Sequence, residues 1–178
     1  KLEDIKYILN SHEHYDHAGG IAELQRLSGA TVLSSVLGEQ VLRTGLTSKG
    51  DPQYTDLPAS MPASANTRAV RDGEQVELGP LSVTAHYTPG HTQGGMSWSW
   101  RSSEGDRAAN LVYADSLNAM AAKPFRYSGT PGYPNARADA ERSIATITAL
   151  PCDILISAHP DASGLYERQA KQATLGNA

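Results

Sequence analysis

The segment NSHEHYDHAGG, residues 10–20, places three histidines and two acids within six positions. The preceding segment, IKYILN (5–10), is short, apolar and rich in strand-forming residues, so it predicts a buried strand. The following segment spaces Ile21, Leu24 and Leu27 along one helix face and ends at Gly29. The motif therefore lies between a strand and a helix, a position where layered α/β folds bind ligands.

The spacing within the motif indicates metal binding. His12 and His14 are two residues apart, so in extended chain they point to the same side. Asp16 continues this alternation and His17 breaks it, so a turn could direct both toward a second point nearby. The pattern predicts two adjoining metal sites. Imidazole and carboxylate without thiolate suit Zn²⁺ best, with Fe and Mn as alternatives. A polar surface loop is disfavoured, since half of the chain's six histidines fall here.

Two zinc sites with about three protein ligands each need further residues from elsewhere in the chain. His91 follows the turn Thr-Pro-Gly after a predicted strand at 81–87, and His159 follows a predicted buried strand at 153–158. Both repeat the geometry of the first motif, a strand end followed by a loop, and are predicted ligands. His86 lies within its strand and is predicted to be structural or to support a ligand.

The order of these elements resembles the metallo-β-lactamase superfamily over nearly the whole chain. HxHxDH is followed by TPGHT (88–92), by YADS (113–116) and by a strand-end histidine. The resemblance implies an α/β (α+β) fold, an αββα sandwich that usually binds two metals. Ser116 stands where the first two subclasses of class B β-lactamases carry a zinc-ligand cysteine. The chain is therefore similar to the third subclass.

This resemblance implies a role for each site residue. The first zinc would be held by His12, His14 and His91. The second zinc would be held by Asp16, His17 and His159. Asp16 would also orient a metal-bound hydroxide that attacks the β-lactam carbonyl, which makes it the catalytic residue. The implied substrate-binding residues are Ser116, Asn118 and Thr92, although the family often has Ser or Thr at position 118.

Other functions remain open on the sequence. A thioester or lactone hydrolase, resembling glyoxalase II or the quorum-quenching lactonases, would use an aspartate that bridges both metals. Asp115 could be that bridge if the alignment is shifted by one residue. A nuclease is disfavoured because the net charge is −4 and no basic stripe is present. A non-catalytic metal-binding module is disfavoured by the six intact ligands. We expect a monomer with a small-molecule substrate, and no nucleic-acid or membrane partner.

The remaining segments predict a long loop at 47–68, two or three strands within 67–87, and helices within 135–150 and 163–173. The chain reads as a single partial domain, 1–178, because the family has most of one sheet before its first metal motif. We therefore expect N-terminal strands to be missing, the strand within 5–10 to have an unpaired edge, and the isolated piece to be poorly soluble and inactive. The family implies a periplasmic or secreted protein, although this chain shows no signal peptide. Cys152 is expected to be a small buried residue.

Overall fold

The computed structural model describes the backbone of residues 1–175 and the side chains of residues 1–172. The strands are β1 (Tyr7–Leu9), β2 (Thr31–Ser34), β3 (Thr67–Ala69), β4 (Gln75–Leu78), β5 (Leu81–Tyr87), β6 (Met96–Glu104), β7 (Arg107–Ala114) and β8 (Ile154–Ser157). The α-helices are α1 (Tyr15–Ala18), α2 (Ile21–Ser28), α3 (Val36–Thr44), α4 (Ala136–Thr148) and α5 (Leu165–Leu175). Short 3-10 helices cover Leu2–Asp4 and Pro160–Ser163.

Within this part of the chain the strands form two sheets. The first has the order β1-β2-β3 with parallel neighbours. The second has the order β4-β5-β6-β7-β8, in which the β7–β8 pair is parallel and the other pairs are antiparallel. The sequence segment 67–87, predicted to hold two or three strands, contributes β3 to the first sheet and β4 and β5 to the second.

Alternating side chains on the strands separate the layers. On β2, Leu33 faces the cluster between the two sheets, where it packs with Trp98 of β6. The neighbouring Val32 faces the opposite way and packs against Ile21 of α2 and Leu42 of α3. Leu33 and Val32 are fully buried, and burial of a side chain of this size stabilises the fold by roughly 1.5–3 kcal/mol.

The second sheet is covered in the same way. Val112 and Ala114 of β7 pack against Ile147 of α4, whereas Tyr113, between them, packs against the cluster between the sheets. The layers therefore run helix, sheet, sheet, helix, and the predicted αββα sandwich is confirmed.

The helices predicted from the sequence are confirmed. α2 ends at Gly29, which has a left-handed φ of 72°, and the predicted terminal helix corresponds to α5. Within residues 1–175 no helix combines the length and the apolar composition that crossing a membrane requires.

Two strands predicted to be buried are exposed, and the unpaired edge expected for the strand within residues 5–10 is present at β1. β1 and β8 lie at the outer ends of their sheets, so one side of each has no strand neighbour among the described residues. Tyr7 and Leu9 of β1 are 37% and 36% exposed, and Leu155 of β8 is 59% exposed. Cys152, just before β8, is also exposed rather than buried. An apolar run predicts a strand, but it does not show whether that strand is central or at an edge.

The sheet directions bring several loops to one end of the sandwich. β5, β7 and β8 run in the same direction, because β5 and β7 are both antiparallel to β6 and β8 is parallel to β7. The loops after their carboxyl ends therefore meet there. The loop after β1 is attached to the second sheet because Met96 N–H donates to Ser11 O at 2.7 Å and Trp98 Nε1–H donates to Asn10 O at 3.0 Å.

Candidate metal centre

Three histidines from two loops converge at this end of the sandwich. His12 and His14 follow β1, and His91 follows β5. All three are buried, with exposed fractions of 0%, 4% and 6%. Their ring centroids lie 4.7 to 5.0 Å apart, and one nitrogen of each ring lies within 4.8 Å of the other two. The structure thus brings together the three residues predicted to hold the first metal.

In each of these three histidines, the ring nitrogen that contacts a protein oxygen is its outer nitrogen, and the other is its inner nitrogen. The outer nitrogen of His12 has a buried partner. His12 Nδ1 lies 2.7 Å from Asp115 Oδ1, and both side chains are fully buried. Burial first, and then His14 and His91, lower the pKa of His12 well below its ordinary value, so the ring is neutral at pH 7. Burial raises the pKa of the Asp115 carboxyl to about 7; its ionised form only accepts hydrogen bonds, and with that form we assign the proton to Nδ1. Nε2, which has no hydrogen-bond partner among the described residues, then carries a free lone pair.

The other two histidines are oriented in the same manner. His14 Nε2 donates to the buried Asp51 carboxylate at 3.0 Å, which leaves Nδ1 as the inner nitrogen. Burial alone would lower the pKa of His14, but the hydrogen bond to Asp51 and the charge of that carboxylate raise it. His91 Nδ1 donates to the main-chain oxygen of Asn118 at 3.3 Å, which leaves Nε2 as the inner nitrogen, 3.4 Å from the Gln53 amide nitrogen. Such outer partners fix the ring orientation and tautomer of metal-binding histidines.

The residues predicted for the second metal also converge. His17 Nε2 lies 3.0 Å from His159 Nε2, and Asp16 Oδ2 lies 3.3 Å from the former and 3.6 Å from the latter. His17 Nδ1 faces Ser11 Oγ at 3.3 Å, so its Nε2 is again the inner nitrogen. Burial and then the neighbouring His12 lower the pKa of His17 to about 4, which favours the neutral ring that metals require.

The two groups of ligands adjoin one another. The ring centroids of His12 and His17 are 3.8 Å apart, and ligand atoms of His12, Asp16 and His17 also lie within 4.8 Å of one another. The donor set fits a divalent metal because it combines imidazole nitrogens, a carboxylate and a buried lone pair of His12 that has no partner among the described residues. The chain therefore carries a metal-binding centre, whereas the identity and number of the ions stay predictions.

The predicted substrate-binding residues occupy different environments. Ser116 is 7% exposed, and its buried hydroxyl has no hydrogen-bond partner among the described residues. Ser116, Asn118 and His159 line one cavity of about 410 Å³. Thr92 is fully buried and its hydroxyl donates to Glu13 at 3.0 Å, so its burial argues against direct substrate contact. These three roles stay predictions, and His86, which contacts Ser99 at 2.7 Å within the sheet, lies apart from the ligands.

Two acids at this centre were missed by the sequence reasoning. Asp51 lies in the long Pro-rich loop, where nothing in the pattern separates it from the other loop acids. Glu13 lies inside the motif, but no role was predicted for it because it occupies the alternate position between His12 and His14. It is 6% exposed, and burial, followed by the charge of Asp51, raises its pKa to about 7.

The comparison with known families identifies the class of protein. The model of the metallo-beta-lactamase superfamily matches residues 1–159. The chain belongs to the metallo-beta-lactamase superfamily.

Individual relatives give a finer picture. The chain is similar to the crystal structure of MEM-A1, a subclass B3 metallo-beta-lactamase isolated from a soil metagenome library. The identity is 73% and the TM-score 0.94, covering 99% of this chain and 66% of that one. It is also similar to the Rm3 metallo-beta-lactamase, at 51% identity and a TM-score of 0.94, covering 99% and 65%. The resemblance to the third subclass is thereby confirmed.

A curated relative has another activity. The hydroxyacylglutathione hydrolase of Pseudomonas paraeruginosa is 31% identical over 146 residues, which are 82% of this chain and 43% of that protein. The chain therefore spans less than half of this relative and just under two thirds of the solved structures.

Proposed function

We propose that this chain carries the active site of a zinc-dependent β-lactamase that hydrolyses the amide bond of β-lactam antibiotics, carbapenems included. The observation that carries the proposal is the arrangement of six ligands in two adjoining groups, with the outer nitrogens of three histidines held by Asp115, Asp51 and the Asn118 main chain. The similarity to subclass B3 enzymes at up to 73% identity supports the same reaction.

We assign two Zn²⁺ per chain. His12, His14 and His91 would hold one ion, and Asp16, His17 and His159 the other. When bound, zinc polarises a carbonyl oxygen and lowers the pKa of water to about 7, which supplies a nucleophile at neutral pH. No side-chain nucleophile is then required.

The protein groups position the reactants. Asp16 is 61% exposed at its side chain, so its carboxylate is accessible from solvent and can orient the attacking water through a hydrogen bond. Ser116 lines the adjacent cavity and its buried Oγ has no hydrogen-bond partner in the described part of the chain, so it can donate to the substrate carboxylate. The Asn118 side chain lines the same cavity. The main-chain oxygen of Asn118 positions His91, and this contact does not depend on which side chain stands at position 118.

Thioester hydrolysis is the second candidate, favoured by the similarity to hydroxyacylglutathione hydrolase. That reading needs Asp115 to bridge the two metals. Here Asp115 Oδ1 binds the outer nitrogen of His12, on the far side of the ring from the inner nitrogen. This position and the lower identity, 31% against 73%, both support the β-lactamase.

The decisive experiment compares substrates and metal content. The full-length protein should hydrolyse a chromogenic cephalosporin and a carbapenem, lose this activity with a chelator, and regain it with Zn²⁺. A thioester of glutathione and a homoserine lactone serve as the competing substrates. Inhibitors that trap a serine acyl-enzyme should have no effect. β-Lactam hydrolysis that survives complete removal of metal would refute the proposal, and faster thioester turnover would favour the second candidate.

We further propose that the protein acts as a monomer on a small-molecule substrate in the periplasm or after secretion, and thereby confers antibiotic resistance. Expression of the full-length protein in a susceptible bacterium should raise the inhibitory concentration of a β-lactam, and fractionation should recover the activity outside the cytoplasm.

A further inference from the structure

Glu13 is a buried acid within the metal motif that is not one of the assigned ligands. It lies between His12 and His14 in the chain, and it is 6% exposed. Burial of an acid without hydrogen-bond partners is costly, so the contacts of this side chain indicate how its burial is compensated.

Both oxygens of the Glu13 carboxylate contact the loop that carries His91. Thr92 Oγ1 donates to Oε2 at 3.0 Å, and Gly94 N–H donates to Oε1 at 3.3 Å. The opposite side of the same loop is also held, since Ser35 Oγ donates to Gly94 O at 2.8 Å. Glu13 therefore connects the loop after β1, which presents two ligands of the first group, with the loop after β5, which presents the third.

The fit between Glu13 and Gly94 is close. A Cβ atom added to Gly94 would lie 2.5 Å from Glu13 Oε2 and 3.0 Å from the carboxyl carbon. A side chain at position 94 therefore cannot be accommodated while the carboxylate keeps its place. The backbone of the second loop is thus packed directly against the acid.

We infer that Glu13 is a positioning residue that fixes the loop of His91 against the loop of His12 and His14, and so sets the geometry of the three-histidine metal site. The inference rests on the ligand assignment made under the proposed function, and it holds for this site whichever substrate the enzyme hydrolyses. Glu13 acts through the loop and touches neither metal nor substrate.

The primary test measures metal affinity in the full-length protein. Glu13→Ala should weaken Zn²⁺ binding at the three-histidine site by about 10–100-fold, the range for lost outer partners, as measured by competition with a chromogenic chelator. The visible absorption of the Co²⁺-substituted protein should also change, because it reports ligand geometry. Glu13→Gln should retain most of the affinity, since its amide oxygen can accept from Gly94 and its NH₂ group can donate to the Thr92 hydroxyl.

A double-mutant cycle tests the contact itself. Gly94→Ala should weaken Zn²⁺ binding in the wild-type background and weaken it much less in the Glu13→Ala background, where the colliding carboxylate is gone. Thr92→Val removes one donor while keeping the side-chain shape, and it should weaken binding even if Glu13→Ala fails to fold. Ser64→Ala is the matched control, because Ser64 is 2% exposed and its hydroxyl has no hydrogen-bond partner among the described residues. It should leave metal binding unchanged.

The outcomes separate this inference from the proposed function. Wild-type protein that binds no Zn²⁺ would overturn both. Wild-type protein that binds Zn²⁺, with unchanged affinity and Co²⁺ spectrum in Glu13→Ala and Thr92→Val, would overturn the positioning role alone. If affinity falls in these two variants but the effects of Glu13→Ala and Gly94→Ala simply add, Glu13 does not act through Gly94. That result would also overturn the positioning role.

Discussion

Removal of the Asp115 carboxylate should weaken both the fold and the first metal site. Asp115 Oδ1 accepts from His12 Nδ1 at 2.7 Å, and neither side chain is exposed. In Asp115→Ala the Nδ1–H group of His12 stays buried without its partner. The ring can then also adopt the other tautomer, which places the proton on Nε2 and removes the lone pair that faces the site.

The size of both effects follows from this geometry. A buried donor left without an acceptor costs about 1–3 kcal/mol of stability. At about 2–4 °C per kcal/mol for a chain of this size, the metal-free protein should melt roughly 2–12 °C lower. Loss of an outer partner of a metal-binding histidine typically costs about 10–100-fold in metal affinity, which corresponds to about 1.4–2.7 kcal/mol. Asp115→Asn should lose less, because its amide oxygen can still accept from Nδ1.

Thermal melts of the metal-free proteins and Zn²⁺ titrations against a chelator measure the two effects. At saturating Zn²⁺ the Asp115→Ala variant should still bind as many ions as the wild type, since no ligand has been removed. A lower saturating zinc content, with Asp115→Asn as impaired as Asp115→Ala, would refute the reasoning. It would instead identify Asp115 as the bridging ligand of a thioester or lactone hydrolase.

Three further predictions concern other parts of the molecule. Asp16→Ala should lower kcat by orders of magnitude and should lower the zinc content toward one ion per chain. Ser116→Ala should cost about 1 kcal/mol of transition-state stabilisation, mostly through a higher KM in steady-state assays. Equal losses of kcat/KM in the two variants would contradict the assigned roles. Burial lowers the pKa of His86 against the opposing charge of a nearby aspartate, so the neutral ring stabilises the fold above pH 6.5 and this contribution is lost as pH falls through the lowered pKa. His86→Gln should therefore lose less stability than the wild type between pH 7 and pH 5 in urea unfolding, and parallel losses would exclude this cause. Gly90→Ala should destabilise the protein by about 1–3 kcal/mol in the same assay, because its φ is 144° and an added Cβ would lie 2.7 Å from a helix backbone atom. Gly105→Ala is the control and should cost less, because an added Cβ at this positive-φ residue would meet no atom within 4 Å.

The local structure and the predicted donor set follow from short-range sequence patterns. HEHYDH between a strand and a helix predicted the first metal motif, and the strand-end positions of His91 and His159 predicted the remaining ligands. These patterns could be read because strand and helix periodicities and turn residues act over a few positions. The resemblance to a known family then assigned the six ligands to two groups, and the structure brings each group together.

The surroundings of the predicted ligands could be known only from the folded structure. The contacts that orient the ligands join residues far apart in the chain: His12 and Asp115 are separated by 103 positions, His14 and Asp51 by 37, and Glu13 and Gly94 by 81. No local pattern marks such pairs, because an acid in a loop has the same sequence signature whether it faces solvent or a buried histidine. Only the packing of the two sheets, which brings separate loops to one end of the sandwich, determines which acids meet the histidines predicted to bind metal.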